Sequence, residues 1–292
     1  LDHEIIREVN NMESFEAIRT MPVQWAKDKG LLRYIGEEVL VKYIQKVKDL
    51  CIDKELVKRE GRNLKVIYTP IHGTGNKPVR RVLKELGFEQ ITVVPQQEKP
   101  DPDFSTVAYP NPEEQEVFTL AIALAEAKRA DLIIGTDPDC DRVGVVAKNK
   151  QGEYVTMTGN QTGALLVHYC LNALKSSGAL PENGCIIKTI VTGEMGRKIA
   201  ESFGVDTIDT LTGFKFIGEK IKEFEETGSH TFLLGYEESY GYLAGDFVRD
   251  KDAVIASMLI CEMAAWYRSR GMSLYDGLVS LWEEYGYFRE TL

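Results

Sequence analysis

Apolar and polar positions along the chain change period several times, and each change predicts an element. Over residues 37–50, Val39, Leu40, Tyr43, Ile44, Val47 and Leu50 recur at helical spacing, which predicts an amphipathic helix. Residues 64–68 form a short β-rich run. After the turn Thr69-Pro70-Ile71-His72-Gly73-Thr74-Gly75, a second helix carries Val79, Val82, Leu83 and Leu86 on one face. Gly87 stands where a left-handed residue ends such a helix. Residues 91–94, 131–134 and 143–147 read as strands. Past a turn at Gly152 the rhythm restarts: helix 160–175, strand 185–191, helix 194–203, strand 205–209, helix 215–226, strand 231–235 and a long helix over 252–270. Strand and helix in alternation predict α/β architecture, as two consecutive α/β/α sandwich domains with mixed, largely parallel sheets. The expected boundaries are a connecting segment 1–36, domains 37–152 and 153–284, and the start of a linker at 285–292.

Composition narrows the class. The chain has 292 residues, 43% hydrophobic and 27% charged, enough for two ordinary domains with their own cores. A formal net charge of −10 argues against nucleic acid or an anionic membrane as partner. No apolar run reaches the roughly 18 residues of a membrane span, and no secretory signal is visible. Five widely spaced cysteines without a C-x-x-C pair suit a reducing cytoplasm better than a disulfide framework. The chain begins at Leu1, with its first methionine at Met12, so a piece of a longer polypeptide is the expectation.

Two loops carry candidate chemistry. Gly135-Thr136-Asp137-Pro138-Asp139-Cys140-Asp141-Arg142 follows a buried strand, where open α/β sheets hold ligands. Three carboxylates at alternate positions of a tight loop repel unless a cation sits among them. All-oxygen ligation favours Mg²⁺. Cys140 alternates away from the three aspartates. An EF-hand is excluded, because Arg142 and Lys148 stand where its Gly and Glu belong. Asp137-Pro138-Asp139 also matches the start of an aspartate-nucleophile phosphatase, which leaves a second enzyme class open. Arg142 suits a phosphate beside the metal.

The second loop, Gly235-Tyr236-Glu237-Glu238-Ser239-Tyr240-Gly241, offers carboxylates and a hydroxyl able to bind adjacent sugar hydroxyls. It lacks the Gly a hydrolase nucleophile elbow would need at Glu237. Thr212-Gly213-Phe214-Lys215 and Arg249-Asp250-Lys251-Asp252 are weaker candidates, readable as a turn and as a helix cap. Asn111-Pro112-Glu113-Glu114 reads as a helix start with a capping box, hence structural. His72 reads as a turn or core histidine.

Together these motifs, with Tyr109-Pro110-Asn111-Pro112-Glu113 and Thr158-Gly159-Asn160-Gln161, resemble the α-D-phosphohexomutase superfamily, particularly its bacterial phosphoglucomutases. The matching stretches run in family order from about residue 65 to 252. The resemblance implies the second and third of four domains, without the Thr-Ala-Ser-His-Asn-Pro type loop of the first or the phosphate loop of the last. It implies Mg²⁺ on Asp137, Asp139 and Asp141, and Arg142 stabilising transferring charge. Sugar recognition would fall to Glu237 and Ser239, with Thr212, Gly213 and Lys251 as further contacts. The expected partner is a hexose phosphate (glucose 1-phosphate or 6-phosphate), together with the flanking domains of the same polypeptide. The chain alone is expected to be inactive. A related subgroup has a His soon after its sugar-loop Ser, whereas this chain reads Ser239-Tyr240-Gly241-Tyr242, so no proton-transfer role carries over. A non-catalytic sugar-phosphate or metal-binding module is the third reading.

Overall fold

The computed structural model describes residues 2–290. Contacts divide the chain into Leu1–Lys42 and Tyr43–Leu292. In the first unit, where the sequence suggests a connection, lie two short helices, α1 (Asp2–Asn10) and α2 (Val23–Asp28). Helix α1 buries none of its residues. Helix α3 spans Glu37–Asp49.

The second unit holds two sheets. Its elements in chain order are α4 (Lys54–Glu60), β1 (Lys65–Thr69), α5 (Asn76–Leu86), β2 (Gln90–Val93), α6 (Thr119–Lys128), β3 (Leu132–Thr136), β4 (Val143–Lys148), β5 (Tyr154–Met157), α7 (Gly159–Ser176), β6 (Gly184–Thr189), α8 (Met195–Ser202), β7 (Asp206–Thr210), α9 (Phe214–Thr227), β8 (Thr231–Glu237), β9 (Gly241–Leu243), α10 (Ala253–Arg268) and α11 (Leu274–Tyr285). The first sheet has the order β2-β1-β3-β4-β5 and the second β7-β6-β8-β9. β1 pairs in parallel with β2 and β3, while β3–β4 and β4–β5 are antiparallel hairpins. The first sheet is therefore evenly mixed rather than largely parallel. In the second, β6 pairs in parallel with β7 and β8, and only β9 turns back.

Tyr154–Met157, which the expected boundary at residue 152 leaves in the second domain, is the edge strand of the first sheet. Every residue of β3 is buried, which is why it reads as an apolar run and not as an alternation. Ile67, Ile133 and Val146 pack with Phe118, Ala121 and Ala125 into one core beneath this sheet. Helix α10 joins the two sheets, touching α4, α5, β3 and β4 on one side and α7 and β9 on the other. It is buried almost all round, as a helix enclosed by other elements must be. Asp252 caps it, accepting from the N–H groups of Val254 and Ile255 at 2.9 Å, worth about 1 kcal/mol. Among the described residues no helix is long and apolar enough to cross a membrane.

One sequence expectation fails outright. Asn111-Pro112-Glu113-Glu114 does not start the helix. A 3-10 turn at Gln115–Phe118 intervenes, and α6 begins at Thr119. Asn111 Oδ1 accepts from the N–H of Glu113 in a tight local turn instead.

Candidate functional site

The acidic loop is the turn of the β3–β4 hairpin. Asp137 is buried at its start, Asp141 half-buried and Asp139 exposed. One oxygen from each lies within 4.8 Å of the others. Asp137 is also bound by the chain itself. Its Oδ1 accepts from the N–H groups of Asp141 (3.0 Å) and Arg142 (2.9 Å), and Oδ2 from Arg142 Nε (2.9 Å). Burial pushes its pKa up to about 6; the bonds from Arg142 oppose that, and the charges of Asp141 and Asp139 add to it.

At 4.8 Å and an effective dielectric of about 20, each carboxylate pair repels by roughly 3–4 kcal/mol, less where solvent screens Asp139. A divalent ion is not the only relief of this repulsion. Arg142 Nε lies 3.6 Å from Asp141 Oδ1, and Lys251 Nζ lies 3.1 Å from Asp141 Oδ2. These two protein cations, each shared with a further carboxylate (Glu113 and Asp250), offset part of the loop's negative charge without metal and leave it net acidic. Three hard oxygens converging at one place fit Mg²⁺ and not a soft metal. The thiol of Cys140 stays out of this set. Burial raises its pKa far above the ordinary range, and its residue takes a left-handed φ of 64°.

The His72-Gly73-Thr74-Gly75 turn supports the acidic loop. Thr74 N donates to Pro138 O at 2.8 Å, and a Cβ on Gly73 would lie 2.5 Å from Pro138 Cα. His72 is a buried turn residue. Its Nδ1 faces the carbonyl of Lys99 and so carries the proton, leaving Nε2 to accept from Thr106 Oγ1, both at 2.8 Å.

The second loop is the β8–β9 turn, and it is bonded to the first. Arg142 and Gly241 form an antiparallel bridge, and the N–H of Val143 donates to the carbonyl of Tyr240 at 3.1 Å. The N–H of Ala253, at the start of α10, donates to Cys140 O. The two glutamates divide their work. Glu238 Oε2 accepts from the hydroxyls of Thr189 and Thr192, so it holds the turn to its own sheet. Glu237 is buried and accepts from Gly213 N at 3.0 Å. Burial raises its pKa, against that N–H and the charge of Lys251. Ser239 is half-buried, and Thr212 is exposed. Lys251 packs over Phe214 at 5.6 Å with its charge on Asp141 and Asp250; burial works against that charge, but the two carboxylates prevail and raise its pKa.

The structure thus brings Asp137, Asp139, Asp141, Arg142 and Lys251 together, and Glu237 with Gly213. It adds two residues read from sequence as structural: Arg142 Nη1 donates to Asn111 Oδ1 (3.2 Å) and Glu113 Oε1 (3.1 Å). The only sequence signal for them was their place among the family-like stretches.

This arrangement defines an α/β protein with an acidic, cation-balanced loop joined to a carboxylate- and hydroxyl-bearing turn. The chain belongs to the phosphoglucomutase/phosphomannomutase family, the α-D-phosphohexomutases: residues 41–152 match its α/β/α domain II and residues 158–285 its α/β/α domain III. It is 42% identical over 228 residues to a phosphoglucomutase of Staphylococcus haemolyticus, covering 78% of this chain and 40% of that one. To a glucose 1,6-bisphosphate synthase of Homo sapiens it is 36% identical over 255 residues, 86% of this chain and 40% of that one. The chain therefore spans less than half the length of these relatives. The solved structure of Aspergillus fumigatus N-acetylphosphoglucosamine mutase, in complex with GlcNAc-6P and magnesium, shares the fold with a TM-score of 0.56 at 14% identity, covering 82% of this chain and 52% of that one.

Proposed function

We propose that this chain supplies the metal-holding and sugar-recognising middle of a phosphoglucomutase that interconverts hexose 1-phosphate and hexose 6-phosphate through a hexose bisphosphate. The phosphoserine would come from a Thr-Ala-Ser-His-Asn-Pro type loop, which these 292 residues do not contain, so this chain alone is inactive. One observation carries the reading: the Arg142–Gly241 bridge ties the aspartate loop to the Glu237–Ser239 turn, coupling metal and sugar functions in one unit.

Asp137, Asp139 and Asp141 would hold Mg²⁺, whose chemistry is to polarise a phosphoryl group and offset its charge. Arg142 binds a phosphoryl oxygen and stabilises the charge that develops there. Glu237, oriented by the Gly213 N–H, accepts from sugar hydroxyls, and Ser239 Oγ donates or accepts beside it. Lys251 and the Thr212–Gly213 turn complete the hold on the sugar phosphate. Glucose phosphate is the substrate that the loop sequence favours.

The phosphatase alternative is weakened by Asp137 itself. Its two oxygens already accept three bonds, which lowers its nucleophilicity while leaving a lone pair for a metal. Two measurements test the proposal. Folded chain titrated with Mn²⁺ should take up about one ion in electron paramagnetic resonance, and failure to do so would overturn it. Incubation with acetyl phosphate should leave Asp137 unmodified by mass spectrometry; a phosphoaspartate there would favour the phosphatase.

A further inference from the structure

The planar guanidinium of Arg142 has five N–H donors in a fixed fork. Three are committed. Nε holds Asp137 Oδ2, and the two hydrogens of Nη1 face Asn111 Oδ1 and Glu113 Oε1. Nη2 meets no partner among the described residues, and the side chain remains 30% exposed. Two donors in one plane are thus left without a partner among the described residues, with the rest of the fork clamped on two edges.

We infer that Asn111 and Glu113, from the proline-rich loop between β2 and α6, are positioning residues that fix the Arg142 plane so that Nη2 is presented to an incoming phosphoryl oxygen. The inference rests on the reading of Arg142 as the phosphoryl ligand. A free arginine on Asp137 alone would pivot about Nε, because a single hydrogen bond leaves the plane undetermined. The second clamp removes that freedom before any ligand arrives, so the ordering cost is met in folding and not in binding. Glu113 is the main clamp, since its bond joins two opposite charges whereas Asn111 offers a neutral acceptor. Asn111 also holds the N–H of Glu113 at 3.1 Å, which aims the glutamate back at the arginine.

Two readouts on the 292-residue chain test this. With ¹⁵N-labelled arginine, the Nη resonances of Arg142 should be split by hindered rotation in the wild type and merge in Glu113→Ala. Glu113→Gln, which keeps the acceptor oxygen, should retain the splitting. With Mn²⁺ bound, inorganic phosphate should bind about tenfold more weakly to Glu113→Ala, as a small misplacement of a binding group predicts, while Mn²⁺ affinity stays within about twofold. Unaltered Arg142 rotation in Glu113→Ala overturns the inference whether or not the chain binds metal. Absence of Mn²⁺ uptake by the wild type overturns the proposed function but leaves the arginine signature to decide the inference. Glu113 is more than one-third exposed, so Glu113→Ala is expected to fold; Glu113→Gln reports on the same contact with less disturbance.

Discussion

Arg142, the residue before β4 of the first sheet, and Gly241, the first residue of β9 in the second, pair their backbones as an isolated antiparallel bridge. Gly241 is pressed against the Lys251 side chain: a Cβ there would stand 2.1 Å from Lys251 Cδ and 2.8 Å from Cγ. Gly241→Ala must therefore push Lys251 off Asp141. Losing a half-buried ion pair worth about 1 kcal/mol makes the aspartates more negative, so Mn²⁺ should bind roughly fivefold more tightly. Hexose phosphate should bind more weakly in the same variant, because the lysine is displaced. Isothermal titration of both ligands checks this, and unchanged metal affinity would show that Lys251 does not compete for Asp141.

The three aspartates differ in what else they do. Asp139 is exposed, whereas Asp137 holds two backbone N–H groups and Arg142. Asp139→Asn should reduce Mn²⁺ affinity by at least about tenfold. Its stability should stay within about 0.5 kcal/mol of wild type. Asp137→Asn should lose affinity and also cost about 1.5–3 kcal/mol, the range for hydrogen bonds to a charged group. Urea unfolding beside metal titration separates the two, and equal stability losses would contradict this division.

What the sequence made legible follows from how locally each feature is encoded. Strands β1, β3 and β6 are runs of apolar residues bounded by turns, and helix α5 shows its stripe without help. Strands β5 and β9 are four and three residues long and exist through their partners β4 and β8, so no local period announces them. The short α4 gave no clear signal, and α11 was not predicted although it carries apolar Leu274, Leu278 and Leu281 at helical spacing. At the site, the aspartates and Glu237 stood out because their chemistry is rare in a loop. Asn111 and Glu113 did not, because an Asn-Pro-Glu run suits a helix start as well as a turn. Their partner Arg142 lies 31 and 29 residues away. Lys251 reaches Asp141 across 110 positions of sequence, a pairing that only the fold creates.

Glu262, in the middle of α10, is fully buried and distant in function from the aspartate loop. Its Oε1 accepts from the N–H of Asp53, while Oε2 lacks a well-formed partner; Tyr169 and Cys51 lie beside it. Burial pushes its pKa up from 4.5 to about 6, with the bond from Asp53 opposing. The folded chain therefore holds this proton more tightly than the unfolded one. Its contribution is fully present below pH 4.5 and is lost as pH rises through about 6, on the order of 2 kcal/mol in all. Glu262→Gln keeps the acceptor for Asp53 and removes the charge. Compared by urea unfolding at pH 4.5 and 7, the variant should gain stability relative to wild type at the higher pH. Parallel curves for the two proteins would mean that Glu262 does not titrate in this window.

Gly159 opens α7 directly beneath the Glu237–Ser239 turn. Its carbonyl accepts from Tyr242 Oη at 3.1 Å, and the preceding Thr158 closes a capping box with Gln161. A Cβ on Gly159 would lie 1.9 Å from the carbonyl oxygen of Glu238, 2.7 Å from its carbon and 3.0 Å from Tyr240 N. All three are backbone atoms, so no side-chain rotation relieves the clash, and either α7 or the β8–β9 turn must move. The capping box and the burial of α7 hold the helix, which leaves the turn to yield. Gly159→Ala should cost about 1–3 kcal/mol as an overpacked contact. It should weaken hexose phosphate binding by at least about tenfold, through misplacement of Glu237 and Ser239. Mn²⁺ binding, which the proposed function assigns to the other sheet's hairpin, should weaken less than sugar binding, because it feels the shift only through the bridge and the Val143–Tyr240 bond. Gly152→Ala is the control: that glycine has φ of 84° with nothing within 4 Å, so the substitution strains only the turn, at about 1 kcal/mol, and leaves sugar binding intact. If Gly159→Ala bound hexose phosphate as tightly as wild type, the turn from Glu237 to Ser239 would not be where the sugar is held.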